Sequence, residues 1–283
     1  MRVAFLGPAG TFTEEALRAS APDDVLELPY PTVYETVMAV KEGEADRAVV
    51  PIENSLEGGV AATLDALAAE ADAVRIAAEA ILPVHHCVVA ARDLELDEIE
   101  RIVSHPQATA QCGRFLREHL AQAELVSAGS TAEAVRQVRD ADGAWAALGS
   151  RLSAELYGCR ILAADVEDDP DNLTRFVWLA PRSDAPDPGP TAKTSIVFWG
   201  AGDESPGWLV AALHEFADRG VNLTRIESRP RRVRLGHYMF FADMEGGEDD
   251  APVREALEAL RERVQTLRVL GSYPAAAAPG AAE

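Results

Sequence analysis

The apolar positions of residues 1–180 gather into short β-rich runs, separated by stretches in which apolar side chains recur at helical spacing. The runs predict strands over residues 2–6, 25–28, 48–50, 84–90, 101–104, 124–126, 144–148 and 174–179. The stretches between them predict helices over 13–20, 33–42, 63–70, 106–120 and 132–139. Strands alternating with helices imply an α/β region whose parallel sheet is covered on both faces. The pattern then stops at "PRSDAPDPGPTAK", whose four prolines and missing periodicity mark 183–193 as a linker. Beyond it the order is strand 194–199, helix 207–219, strands 223–230 and 236–243, helix 252–265 and strand 266–272, with "RRVRLG" at the turn between the middle strands. That is a ferredoxin-like βαββαβ unit over 194–273. Residues 274–283 have nothing to pack and are expected to be disordered. With a linker between them, domains 1–182 and 194–273 are expected to be separable, the first remaining folded without the second.

A chain of 283 residues accommodates an apolar core in each domain. No apolar run reaches the roughly 20 residues that span a bilayer, and "MRVAFLGPAG" reads as a buried first strand rather than a leader. Cys87, Cys112 and Cys159 are odd in number and far apart, which suggests reduced thiols and a cytoplasmic setting. A formal charge of −21 with only two lysines, Lys41 and Lys193, speaks against nucleic acid as a partner. The basic run "SRPRRVR" reads as a solvated strand and turn. An anionic small molecule remains compatible if arginines and backbone N–H groups converge locally. The histidines lack ligand spacing, and the adjacent His85 and His86 are expected on opposite faces of a strand, so no metal site is expected.

Four places carry candidate chemistry. In "VAFLGPAGTFTEEAL" a strand enters a Gly-rich turn and a helix start, where N–H groups with the Thr11 and Thr13 hydroxyls can hold a carboxylate or phosphate. The turn is neither a Walker loop nor GxGxxG, and a purely structural turn explains it equally well. In "VVPIENSLEGGV" a strand ends and releases Glu53, Asn54 and Ser55, where ligands gather in open α/β sheets. In "IVSHPQATAQC" Ser104 is placed to cap a helix that carries Gln107 and Gln111 on one face. In "DPDNLTRFVW" Thr174 offers a hydroxyl donor, Arg175 a bidentate cation and Phe176 the start of the closing strand. Asn-Leu-Thr-Arg recurs in "RGVNLTRIESRP", but the flanks differ, so the two copies are not a structural repeat.

Taken in order, "GPAGTFT", "VPIENSLEG", "SHPQATAQC", "AALGSRLSAELYG" and "NLTRF" resemble prephenate dehydratase, and "GVNLTRIESRP" resembles the phenylalanine-binding segment of the ACT regulatory domain fused to that enzyme. The resemblance runs from residue 1 to about 273. It implies a periplasmic-binding-protein-like catalytic region with the active site between two lobes, one of residues 1–78 and 162–182 and the other of 79–161. Hinges would fall near 76–83 and 160–162. The implied reaction converts prephenate to phenylpyruvate, water and carbon dioxide, with no metal or organic cofactor. Thr174 would donate to the departing hydroxyl within a network containing Asn54, Ser104 and Gln107. Substrate contacts would come from Thr11, Thr13, Glu53, Ser55, Gln111, Arg175 and Phe176.

The same resemblance implies a cytoplasmic homodimer or homotetramer that binds phenylalanine at the ACT domain through Gly207, Trp208, Leu209, Val210, Asn222, Leu223, Glu227, Ser228 and Arg229. Gly207-Trp208-Leu209-Val210 departs from the Gly-Ala-Leu-Val common in such domains, so an altered effector choice is expected. Turnover of arogenate instead of prephenate, or amino-acid sensing without catalysis, are the alternatives the sequence leaves open.

Overall fold

A computed structural model describes residues 1–184, 187–200 and 205–276. Part of the expected linker, residues 185 and 186, and most of the expected disordered tail, residues 277–283, lie outside the described residues. The first lobe is one sheet in the order β2-β1-β3-β11-β5, built from β1 (Arg2–Leu6), β2 (Leu26–Tyr30), β3 (Arg47–Asn54), β5 (Val74–Pro83) and β11 (Leu173–Pro181). A two-residue strand, β4 (Gly58–Gly59), folds back on the end of β3. Helix α1 (Phe12–Ser20) covers one face, and α2 (Val33–Lys41) and α3 (Ala61–Glu70) cover the other.

Period-two alternation along β11 sends Phe176 and Trp178 into the α1 face, with Val3, Phe5 and Leu17, and Val177 and Leu179 into the α2/α3 face, with Val37, Leu64 and Leu67. Phe5, Leu17 and Phe176 are fully buried, and each such side chain contributes about 1.5–3 kcal/mol of hydrophobic stabilisation.

The second lobe is a sheet in the order β10-β6-β9-β7-β8, formed by β6 (Cys87–Ala90), β7 (Arg101–Ser104), β8 (Glu124–Ser127), β9 (Trp145–Gly149) and β10 (Arg160–Ala163). Helices α4 (Pro106–Gln111), α5 (Gly113–His119), α6 (Thr131–Arg139) and α7 (Arg151–Leu156) pack around it. The helix expected over 106–120 is broken at Cys112, which leaves helical backbone angles at φ −111°, ψ 19°. Both sheets are mixed, contrary to the parallel arrangement expected. β11 runs antiparallel to β3 and β5, and β6 runs antiparallel to β9 and β10.

The lobe boundaries also shift. The expected hinge segments 76–83 and 160–162 lie inside sheets, β5 being paired along its whole length with β11 and β10 with β6. The chain crosses between sheets after Pro83 and returns between Ala163 and Leu173.

The third sheet, β13-β14-β12-β15, follows from β12 (Ala192–Trp199), α8 (Trp208–Ala217), β13 (Leu223–Pro230), β14 (Tyr238–Glu245), α9 (Ala251–Arg263) and β15 (Thr266–Pro274), the expected βαββαβ order. Its helices cover one face through Phe198, Phe216, Met244 and Leu257. Its other face joins the first lobe. Val197, Phe241, Leu270 and Tyr273 share one apolar cluster with Ile76 and Val177. Two glycines allow this docking: a Cβ on Gly271 would overlap the Ile76 carbonyl oxygen, and one on Gly59 would overlap the Glu227 carboxylate.

Candidate active site

A cavity of about 370 Å³ lies between the first two lobes. Strands β3 and β11 open into it side by side, because their register sets Asn54 opposite Thr174 and Glu53 opposite Arg175. Alternation then sorts each strand's pair. Asn54, Thr174 and Phe176 face the cavity, whereas Glu53 and Arg175 face the third sheet.

Asn54 organises the floor. Its Oδ1 accepts the N–H groups of Leu56 (3.0 Å) and Glu57 (3.1 Å), and its Nδ2 donates to Thr174 Oγ1 (3.0 Å), Asn172 Oδ1 (2.7 Å) and the Leu173 carbonyl (3.2 Å). From the second lobe, Gln107 and Gln111 reach the cavity on α4. Gln111 Nε2 donates to Glu57 Oε1 (3.3 Å), and its Oε1 accepts from Asn172 Nδ2 (3.3 Å) and meets His86 Nε2 at 3.0 Å, so these side chains tie the lobes together.

No Lys or Arg is among the described residues lining the cavity. The means of holding an anion are the starts of α1 and α6, where unpaired N–H groups and the helix dipole favour negative charge. Thr11 caps α1, accepting from Glu14 N–H (3.4 Å) and donating to the Leu6 carbonyl (2.9 Å), so its hydroxyl is already engaged. Thr13 is buried at the same mouth. Ser130 caps α6 by accepting from Glu133 N–H (3.0 Å), and Gly129, Ser130 and Thr131 line the opposite wall.

Several expected site residues lie elsewhere. Arg175 is buried among Glu79 (2.6 Å), Asp243 (2.6 Å), Glu53 (3.2 Å) and the Tyr273 hydroxyl (2.7 Å), so it cannot anchor a ligand in the cleft. Burial alone would disfavour its cation, but the Asp243 and Glu79 carboxylates outweigh that and raise its pKa. Glu53 is spent on Arg175 and Arg225. Ser104 lies at the end of β7 with its hydroxyl on the Leu148 carbonyl (3.3 Å), and the α4 cap is His105, whose Nδ1 accepts from Gln107 N–H (3.3 Å). Ser55 accepts from Leu173 N–H (3.0 Å), outside the cavity.

Residues not expected at the site are His86, His105, Ser130, Thr131 and Asn172. The series Ser130-Thr131-Ala132-Glu133 is a capping-box sequence ahead of an amphipathic helix and was the available signal for that wall. His85 and His86 precede β6 and do separate, His85 to Glu167 (2.7 Å) and His86 to Gln111. His85, Asp165 and Glu167 bring possible ligand atoms within 4.8 Å of one another. Glu167 is engaged by His85 Nδ1 and His86 N–H, and Asp165 by Arg151.

On the third domain a smaller cavity, about 200 Å³, is lined by Gly207, Trp208, Leu209 and Val210 with Tyr238 and Phe240. Trp208 lies beside Phe198 and Phe240 and donates its indole N–H to the Arg263 carbonyl (3.2 Å). The other expected effector residues are not part of this cavity. Asn222 and Ser228 are exposed on edge strand β13 or just before it, Leu223 packs on the helices, Glu227 pairs with Arg225 beside Gly59, and Arg229 pairs with Asp65 (3.0 Å).

The prephenate dehydratase family matches residues 3–184, and the ACT domain family matches 194–262. A prephenate dehydratase of Mycolicibacterium vanbaalenii is 42% identical over 294 aligned residues, covering 99% of this chain and 93% of the relative. The crystal structure of an Arthrobacter aurescens prephenate dehydratase in complex with L-Phe superposes with a TM-score of 0.88 at 41% identity, covering 99% and 94% of the two chains. A structure of GqqA, described as a novel type of quorum-quenching acylase, superposes with a TM-score of 0.86 at 33% identity over 98% of each chain.

Proposed function

We infer, from a chain that belongs to the prephenate dehydratase family and ends in an ACT domain, that the cleft carries out the decarboxylating dehydration of prephenate to phenylpyruvate. The elimination needs a hydrogen-bond donor at the departing hydroxyl, an anchored pyruvyl carboxylate, and a ring carboxylate free of strong cationic partners so that it can leave as carbon dioxide. The observation that carries this reading is the Asn54 N–H on Thr174 Oγ1. An oxygen already occupied as an acceptor keeps its own hydrogen available to donate.

The helix starts at Thr11–Thr13 and Ser130–Thr131 would hold the pyruvyl carboxylate through N–H groups, and the described lining residues offer no Lys or Arg to pair with the ring carboxylate. Gln107 and Gln111 supply neutral donors and acceptors that orient the substrate. An acyl-transfer reading would require a base that accepts the nucleophile's proton, and the side-chain contact of Thr174 Oγ1 is the Asn54 amide, not a histidine or carboxylate.

Phenylalanine is the effector, with the Trp208 cavity as its pocket. A cytoplasmic homodimer or homotetramer accounts for exposed Val210, Ile226, Val233, Leu235 and Tyr238 on the ACT domain. No helix among the described residues is long and apolar enough to cross a membrane. The test is turnover of prephenate and of arogenate by the purified protein, with and without phenylalanine. Prephenate turnover inhibited by phenylalanine is expected. Preference for arogenate would reassign the substrate, and no turnover of either would leave a sensor.

A further inference from the structure

His86 is buried, lines the cleft and lies edge-on against Phe12, with no partner at its Nδ1. Its protonation follows from a chain of hydrogen bonds whose direction the backbone dictates. Asn54 Oδ1 must be the oxygen, because two main-chain N–H groups, those of Leu56 and Glu57, point at it. Asn54 Nδ2 is therefore the donor, which makes the atom of Asn172 that it meets the oxygen. Asn172 then presents its NH2 to Gln111, whose facing atom is an oxygen in turn. The far end of Gln111 agrees independently, since its NH2 meets the Glu57 carboxylate, which can only accept. An oxygen at Gln111 Oε1 requires a hydrogen on His86 Nε2. Neutral His86 then carries a bare lone pair at Nδ1, the atom that has no donor.

We propose that His86 is a positioning residue for Thr174, fixed as the neutral Nε2–H tautomer and acting through Gln111, Asn172 and Asn54 to hold the Thr174 hydroxyl as a donor into the cleft. This rests on the reading of Thr174 as the donor to the departing oxygen. The opposite tautomer would set a ring lone pair against Gln111 Oε1 and leave a buried N–H without an acceptor. Relief by rotating Gln111 would turn its NH2 towards that of Asn172 and its oxygen towards Glu57. Because main-chain N–H groups hold Asn54 Oδ1, the mismatch would fall on the contact between Asn172 and Asn54 Nδ2, the amide that also occupies Thr174 Oγ1. Because Gln111 and His86 reach Asn172 and Asn54 from outside the first sheet, the chain is complete only when the lobes are together.

The charged and titratable groups around the ring are Glu167, whose Oε2 accepts the His86 main-chain N–H (2.9 Å), and His85, with Glu57 beyond Gln111. Burial is the largest influence on His86 and favours its neutral form; the Gln111 hydrogen bond and the Glu167 charge oppose it, His85 acts with it, and the net shift is downward.

The test joins a spectroscopic measurement to a mutant cycle. Nitrogen-15 shifts of histidine-labelled full-length protein at neutral pH are expected to show His86 neutral with its proton on Nε2. A proton on Nδ1, or a charged ring, overturns the proposal without any variant. His86→Leu is expected to lower kcat about tenfold, the worth of one hydrogen bond, with KM little changed. His86→Gln, which can still donate, recovers most of the loss. In a Thr174→Val background His86→Leu should have no further effect, because its role runs through that hydroxyl. Equal losses in both backgrounds would reject the positioning role while leaving Thr174 catalytic. A Thr174→Val enzyme with full activity would instead remove the reading of Thr174, and with it any role exercised through it.

Discussion

Arg175 and Arg225, the final residues of the two Asn-Leu-Thr-Arg segments, meet at the same two carboxylates. Arg175 lies 3.2 Å from Glu53 and 2.6 Å from Asp243, and Arg225 lies 3.4 Å and 3.9 Å from the same residues. Ser195 donates to the other oxygen of Asp243 (2.6 Å), and Tyr273, a neutral phenol whose proton burial holds firmly, closes the ring of contacts on Arg175. One strand therefore presents Thr174 to the cleft and Arg175 to the ACT domain.

Removing the Arg175 guanidinium would leave Glu79 and Asp243 short of a buried cation. Arg175→Ala is expected to destabilise the protein by about 3–5 kcal/mol, the usual cost of breaking a buried ion pair from one side. Arg175→Lys should recover only part of this, since one ammonium cannot reproduce the forked contacts. Denaturant unfolding measures both, and a loss under about 1 kcal/mol for the alanine variant would show that the carboxylates find other partners.

Thr174→Val keeps shape and strand propensity but removes the donor. Folding should be unchanged and kcat lower by about 10²–10³, typical for a lost transition-state hydrogen bond. Steady-state kinetics with a matched melting curve decide it, and a well-folded variant with near-normal kcat would clear Thr174 of any part in the chemistry.

The alternation that separates Thr174 from Arg175 was readable in the sequence. Successive strand residues face opposite ways, so Thr174 and Phe176 could share a cleft that Arg175 could not, and the same holds for Asn54 against Glu53. Chain order and the βαββαβ domain were legible because turn chemistry and periodicity agree locally. The apolar pattern does not mark β5, because "VRIAAEAILP" carries small residues and a glutamate in place of a β-branched run, and its place comes from pairing with β11, almost a hundred residues later. The His86–Gln111–Asn172 chain was not legible at all, since it exists only once the lobes come together.

Stability near neutral pH should carry the signature of His86. Burial lowers its pKa below the ordinary 6.5, so as pH falls from 6.5 towards the folded-state value the unfolded chain takes up a proton that the folded chain refuses. Its contribution is thus present above 6.5 and lost below it. Asp243, whose pKa is lowered because Arg175, Ser195 and Arg225 outweigh the penalty of its burial, loses its contribution only below the ordinary 3.8, a separate window. Melting temperatures between about pH 5 and pH 8 should fall less steeply on the acid side for His86→Gln than for the wild type. Parallel curves would mean that the ring titrates alike in both states.

Trp208 lines the ACT cavity while its indole N–H holds the end of α9. Trp208→Ala should open that space and shift effector choice towards phenylalanine over tyrosine and tryptophan. Activity titrations with the three amino acids report this, and coincident profiles for both proteins would deny the indole a regulatory role.

The linker suggests that the first domain can be cut free, but the packing argues otherwise. Removing everything after Asp184 would expose Ile76 and Val177 where Val197, Phe241, Leu270 and Tyr273 now cover them. It would also strip Arg175 of Asp243 and the Tyr273 hydroxyl, Glu79 of Lys193 (2.7 Å), and Arg182 of the Val269 carbonyl (2.8 Å). An apolar patch beside unpaired buried charge is a combination that favours aggregation over a stable monomer. The 1–184 fragment is therefore expected to be largely insoluble, or soluble only with a markedly lower melting temperature and reduced kcat, even though every residue lining the cleft is still present. Expression of the fragment, followed by size-exclusion chromatography, thermal unfolding and prephenate turnover, tests this directly. A monodisperse fragment that melts with the full-length protein and turns over at its rate would show that the shared cluster adds little to the first domain, and that the ACT domain acts on the enzyme without holding it together.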